Sequence, residues 1–241
     1  MMNIYNHILQ AKADGHKLLA VLIDPDKFEL KNALQFIKKV NTSIITHIFV
    51  GGSTVNKNKT QELVEVVKML TELPVVLFPG DITQISKDAD AILFLSLLSG
   101  RNADYLIEKQ VQAVPLLENT NLEVISTGYI LIESGKETAV QRITKTLPID
   151  RTDTEKIKHT AKAGELLGNK LIYLEAGSGA QYEIPLEVIS SVKNTINIPL
   201  IVGGGIRNKT QIENAFLAGA DLVVIGTAFE EDDHFFEHLI S

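Results

Sequence analysis

The chain has 241 residues, 45% of them hydrophobic and 22% charged, the balance of a globular enzyme able to bury a sizeable core. Its net charge of −7 leaves no surplus of Lys or Arg to neutralise nucleic-acid phosphates, and the lack of cysteine excludes disulfides, thiolate nucleophiles and Cys-ligated metals. No run approaches the roughly 18 apolar residues that cross a bilayer. Residues 1–16 are polar and lack the apolar core of a signal peptide, so a cytoplasmic protein is expected.

Residues 17–23 (KLLAVLI) are an apolar run of strand length, ended by Asp24-Pro25-Asp26. Residues 29–40 then show helical spacing through Leu30, Leu34, Ile37 and Val40, and 44–50 form a second strand that stops at Gly51-Gly52-Ser53. A helix over 60–73 turns Leu63, Val66, Val67 and Leu70 inward, and strand three (74–78) ends at Pro79-Gly80-Asp81. Strand four, 91–95, follows so soon that the crossover has room for only a turn or two of helix. Residues 103–118 carry Leu106, Ile107, Val111, Val114 and Leu117 at helical spacing, with a kink expected at Pro115.

Strand five is 123–132, and 133–153 is the least regular stretch of the chain. A helix over 154–167 is capped by Thr152 or Asp153 and closed by Gly168, and strand six follows at 170–174. Strands seven (199–202) and eight (221–225) flank a helix over 211–220 that ends in a glycine cap. Eight short, mostly non-alternating strands with intervening helices predict one α/β domain over 1–241, a single (β/α)8 TIM barrel of the phosphate-binding type.

Barrel chemistry sits at the C-terminal strand ends, so the residues just past each run are the candidates. Phosphate binding needs backbone N–H groups unobstructed by a Cβ, and three turns supply them: Gly177-Ser178-Gly179, Gly203-Gly204-Gly205 and Gly226-Thr227. The bland alternative is that these glycines merely close tight turns. Asp24 and the Ser53 hydroxyl sit on adjacent strand tips, about 5 Å apart, where they can share a Mg²⁺ that keeps its waters and substrate oxygens. Equally, Asp24-Pro25-Asp26 reads as a turn and helix cap. Glu175, beside Tyr173 and the Gly177-Ser178-Gly179 turn, reads either as a base for a substrate hydroxyl or as half of an ion pair. His7, His16, His47, His234 and His238 form no ligand set, and no GxGxxG or P-loop is present.

Taken together, these strand ends resemble those of the geranylgeranylglyceryl phosphate synthases, prenyltransferases on a phosphate-binding barrel. The resemblance spans essentially the whole chain. It rests on Leu22-Ile23-Asp24-Pro25-Asp26-Lys27, Val50-Gly51-Gly52-Ser53-Thr54, Phe78-Pro79-Gly80 and Ser126-Thr127-Gly128-Tyr129. Most specific is the run Tyr173-Leu174-Glu175-Ala176-Gly177-Ser178-Gly179, which marks the longer form of the family. The resemblance implies Mg²⁺ on Asp24 and Ser53. It implies sn-glycerol 1-phosphate bound by residues 173–179, Gly203, Gly204, Gly205, Gly226 and Thr227. Geranylgeranyl (polyprenyl) diphosphate would lie in an apolar groove near Tyr129, with Glu175 as the base. Association into homo-oligomers and transient contact with a membrane surface are expected on the same ground. Thr227 departs from the Asn more often found there. Two other classes stay open: an aldose-phosphate isomerase or lyase using Asp24 and Asp81, and a phosphate-binding protein without catalysis.

Overall fold

The computed structural model describes residues 3–56, 58–226, 229 and 239. Eight parallel strands close into a barrel in sequence order. They are β1 (Leu18–Ile23), β2 (His47–Val50), β3 (Val75–Leu77), β4 (Ala91–Leu97), β5 (Glu123–Leu131), β6 (Leu171–Glu175), β7 (Leu200–Gly203) and β8 (Leu222–Ile225). β1 pairs with both β2 and β8, which completes the ring.

Alternate side chains along each strand divide the core into two shells. Leu18, Ala20, Phe49, Val76, Leu93, Ile125, Tyr129, Leu171 and Tyr173 fill the interior. Leu19, Val21, Ile48, Val50, Ile172, Leu174 and Val202 face the surrounding helices. Both faces are buried, which is why the strands read as continuous apolar runs.

The helices are α1 (Ile4–Ala13), α2 (Ala33–Asn41), α3 (Lys59–Leu70), α4 (Lys109–Leu117), α5 (Ala139–Thr144), α6 (Thr154–Leu166), α7 (Leu186–Lys193) and α8 (Lys209–Ala218). The polar N-terminal stretch hides α1, which buries Ile4, Ile8 and Ala11 in the interior cluster and so stoppers the N-terminal end of the barrel. The N–H groups of Ile4 and Tyr5 donate to the Glu123 carboxylate at the start of β5. Two aspartates pin the same end by one device. Asp90 accepts Val75 N–H and pairs with Lys68, and Asp221 accepts Leu200 N–H and pairs with Lys193.

Several expectations shift. The β2 ladder begins at His47 rather than residue 44, because Thr46 spends its N–H and hydroxyl on the backbone of Leu19 below the ladder. β4 runs on to Leu97, so Ser96 lies within the strand and donates to Leu106 O instead of facing the mouth. α2 buries Ala33, Ile37 and Val40, leaving Leu30 and Leu34 outside, and α3 buries Val64 where Val66 was expected.

The largest change concerns residues 103–118. A five-residue π turn, Asp104–Glu108, precedes α4 and shifts its helical phase, so Gln110 and Ala113 face inward while Ile107, Val111 and Val114 are exposed. The short crossover after β3 holds a single 3₁₀ turn, Ile82–Gln84, as expected. The irregular stretch 133–153 contains α5, and α7, a helix not expected from the sequence, covers the β6–β7 crossover with Val188, Ile189 and Val192 inward. His234 and His238, placed in a C-terminal helix by their spacing, lie outside the described residues.

Candidate active site

Strand alternation puts Glu175 on the interior face with Tyr173, at the last position of β6. Its register partners are Leu131 on β5 and Gly203 on β7. The carboxylate is buried, and Oε1 accepts the Gly177 N–H at 2.6 Å. Burial raises its pKa from 4.5 to about 7, outweighing the Gly177 hydrogen bond and the nearby Tyr173 hydroxyl, which both stabilise the anion. That hydroxyl completes no hydrogen bond of normal geometry among the described residues. Burial and then the Glu175 charge hold the Tyr129 and Tyr173 hydroxyls well above pKa 10, so both remain protonated donors.

The glycine turns pack against this carboxylate. Gly204 has φ +83°, and a Cβ there would stand 2.4 Å from Glu175 Oε1 and 2.7 Å from Gly177 N. Gly177 has φ +98°, and its Cβ would meet Thr138 at 2.4 Å. Only glycine satisfies both the backbone and the space at these positions. Among the described residues no hydrogen bond occupies the N–H groups of Ser178, Gly179, Gly204 or Gly205. Four backbone donors at the rim beside a buried carboxyl make a cradle for an anion.

The opposite end is built from the tips of β1, β2 and β3. A Cβ on Gly52 would stand 2.8 Å from Asp24 Oδ1, so the aspartate lies directly over the Gly52-Ser53 turn. Asp24 Oδ1 accepts Asp26 N–H at 3.0 Å, and Lys27 Nζ lies 3.9 Å from Oδ2. Asp26 itself turns away, accepting from Asn56 and pairing with Lys59. Gln84, fully buried, staples the two tips. Its amide donates to Gly52 O at 2.8 Å and accepts from Gly52 N–H at 3.2 Å and Gly80 N–H at 3.3 Å. Asp81 is ion-paired with Lys109 of α4. Burial raises the Asp81 pKa, but the hydrogen bonds from Lys109 and Thr83 and the lysine charge lower it further, leaving it below 3.8.

One cavity of about 320 Å³ joins the two ends. Its middle and far wall are apolar, with Phe94, Leu95, Leu97, Val140 and Ile143 among the lining residues. Three aromatic rings stand in the centre: Phe78 stacks on Tyr173 at 5.0 Å, and Tyr129 meets both at 5.8 and 5.5 Å.

Of the residues singled out from the sequence, Asp24, Ser53, Tyr129, Tyr173, Glu175, Gly177, Ser178, Gly179, Gly204, Gly205 and Gly226 line this cavity. Leu174 and Ala176 do not. Their side chains alternate into the outer shell, and the Ala176 N–H is spent on Gly203 O. Gly203 lies beneath the rim, where a Cβ would strike the Tyr173 hydroxyl at 2.4 Å. Thr227 lies outside the described residues. Gln84 and Lys109 are the structural additions, and Phe78, from the Phe78-Pro79-Gly80 run, lines the cavity as Lys109 does. Lys109 escaped a search of strand tips because a helix carries it to the mouth, and Gln84 sits in a 3₁₀ turn with no distinguishing local pattern.

A donor set of one carboxylate and one hydroxyl, all oxygen and open to the cavity, fits Mg²⁺, which takes one or two protein carboxylates and keeps the rest for water and substrate. Among the described residues no cluster of three or more His, Cys, Asp or Glu side chains suits a metal held by protein alone. An ion on Asp24 and Ser53 would therefore be completed by a substrate's oxygens.

Residues 11–241 match the model of the PcrB family. The chain belongs to that family. It is 60% identical to the geranylgeranylglyceryl phosphate synthase of Flavobacterium johnsoniae over 98% of both chains. It is 38% identical to the synthase of the same name from Methanosphaera stadtmanae, over 96% of this chain and 94% of that one. Among solved structures it is similar to the (S)-3-O-geranylgeranylglyceryl phosphate synthase of Thermoplasma acidophilum, crystallised with sn-glycerol-1-phosphate. The TM-score is 0.93 at 33% identity, covering 99% of this chain and 96% of that one. Membership makes the chain an enzyme, a prenyltransferase on a TIM barrel, in agreement with the resemblance read from its strand ends. No helix among the described residues is long and apolar enough to cross a membrane.

Proposed function

We propose that this PcrB-family enzyme is a geranylgeranylglyceryl phosphate synthase. It transfers a geranylgeranyl group from its diphosphate to the C3 hydroxyl of sn-glycerol 1-phosphate, forming an ether and releasing diphosphate. The observation that carries this reading is the pairing of two unlike ends in one cavity. The cradle of Ser178, Gly179, Gly204 and Gly205 N–H groups receives the glycerol phosphate. This anchors the substrate with its hydroxyl toward Glu175, which takes the hydroxyl proton as the ether forms. A buried carboxyl with a pKa of about 7 suits that task, being half ionised at neutral pH and a stronger base than an exposed glutamate.

At the other end Asp24 and Ser53 would hold Mg²⁺, which neutralises charge on the departing diphosphate when bound. Lys27 and Lys109 add positive charge to the same wall. The apolar wall from Phe94 to Leu97 and α5 receives the prenyl chain and keeps water from the reacting carbon. Release of an amphiphilic product to a membrane surface, and association of copies of the chain, complete the reading and rest on the resemblance.

The isomerase or lyase alternative needs a base near neutral pKa across the mouth. Asp81 does not suit that role, because its pairing with Lys109 keeps it ionised well below neutrality. The test is incubation of radiolabelled sn-glycerol 1-phosphate with geranylgeranyl diphosphate and Mg²⁺. Organic-extractable label is expected, and its absence would sink the proposal.

A further inference from the structure

Phe78 lines the cavity that joins the two ends. It follows Leu77 at the tip of β3, and strand alternation puts it on the interior face with Val76. Its backbone presses against the β2 tip: a Cβ on Gly51 would stand 1.9 Å from Phe78 O, and one on Gly80 would stand 2.5 Å from Gly52 O. The Phe78 backbone thus belongs to the end that carries Asp24 and Ser53. Its ring reaches the other way, stacking at 5.0 Å and 20° on Tyr173, two residues before Glu175. Tyr129 and Tyr173 are buried, whereas Phe78, which also lines the cavity, is only partly buried.

Phe78 thus links the end that carries Asp24 and Ser53 to the ring two residues before Glu175, the two places between which the proposed reaction moves an allylic carbon. The aromatic face carries negative charge density, and its attraction for a cation grows in a desolvated setting such as this apolar wall. Resting on the proposed prenyl transfer, we infer that the Phe78 ring, backed by Tyr173 and Tyr129, is a catalytic group that stabilises the allylic cation formed when the prenyl diphosphate ionises.

The step balances without a further reactant. The C1–O bond breaks with its electron pair leaving on the diphosphate, and positive charge spreads over C1 and C3 of the allyl group beside the ring. The C3 hydroxyl oxygen of glycerol 1-phosphate then bonds to C1, and its proton passes to Glu175. Packing alone would ask only for an apolar side chain at position 78.

The test replaces Phe78 in the full chain with 4-fluoro-, 3,5-difluoro- and pentafluorophenylalanine, which keep the ring's shape while draining its π density. The single-turnover rate of ether formation with Mg²⁺ is compared with the affinity for geranylgeranyl thiolodiphosphate. The expected result is a graded fall in rate, roughly 5- to 30-fold at the last member, a range set by a desolvated cation–π contact. Affinity for the unreactive analogue should stay within about twofold, and Phe78→Leu should lose rate while Phe78→Tyr retains most of it. A flat rate series would overturn the inference, as would a fall in rate matched by weaker analogue binding. Wild-type protein that forms no ether would instead overturn the proposed function itself.

Discussion

At the β6 end of the mouth the Glu175 side chain is buried, with 5% of the residue exposed. At the β1 end the Asp24 side chain keeps 19% exposure, beside the half-exposed Lys27. The first carboxyl faces Tyr173, Tyr129 and glycine backbone; the second faces an amide-stapled loop, a lysine and the open cavity. Burial makes the first a weak acid that can exchange a proton near neutrality. Partial exposure on the open cavity leaves the second within reach of a metal ion, the task proposed for it. Two residues of the same chemistry thus sit in unlike surroundings, which suits them to the unlike tasks proposed for them.

Substitution is the strongest way to break that contrast. Asp24→Asn should lower kcat by at least about 10³-fold, since a metal that neutralises a leaving group is worth several kcal/mol. Binding of sn-glycerol 1-phosphate, measured by calorimetry, should persist, whereas its loss would put Asp24 in the phosphate cradle instead. Glu175→Gln should cost about 10²- to 10⁴-fold in kcat, the usual worth of a general base. An unchanged rate in that variant would leave Glu175 only a substrate anchor. Gly204→Ala forces a Cβ to 2.4 Å from the Glu175 carboxylate at a positive φ, so roughly 10- to 100-fold should be lost from kcat/KM. Activity equal to wild type would show that the turn yields more readily than its packing indicates.

Stability sharpens the comparison further. The folded pKa of Glu175 is raised, so the fold favours its protonated form. That contribution is complete below about pH 4.5 and is lost as pH rises through about 7. Glu175→Gln should therefore unfold at higher denaturant than wild type at pH 8–9, by up to roughly 3 kcal/mol, with the gap closing toward pH 4.5. A gap that is independent of pH would contradict the raised pKa. The smallest effect concerns the staple: Gln84→Leu strands the polar groups of Gly52 and Gly80 and should cost about 1–3 kcal/mol in urea melts.

The same division governs what could be read from the sequence. The proposed phosphate cradle was legible because it is built of backbone. Gly177, Gly204 and Gly205 combine a positive φ with contacts that no Cβ could enter, and strands buried on both faces announce themselves as apolar runs. Leu174 and Ala176 were carried into the site by their neighbours, although strand alternation sends their side chains to the outer shell. The groove side was poorly legible. The π turn Asp104–Glu108 rotates α4 so that polar Gln110 faces inward and apolar Val111 and Val114 face out, which reverses the usual inference from periodicity. Lys109 and Gln84 act through contacts with residues 28 and 32 positions away, and no local pattern encodes them. The N-terminal α1 hid for a simpler reason, because only Ile4, Ile8 and Ala11 of its ten residues are buried.

Central here is the poise of the buried Glu175 carboxyl near neutrality. It is tested most directly by carboxyl ¹³C NMR of glutamate-labelled protein, with Glu175→Gln identifying the resonance. The titration midpoint expected for Glu175 is near pH 7. A midpoint near 4.5, that of an ordinary glutamate, would contradict it.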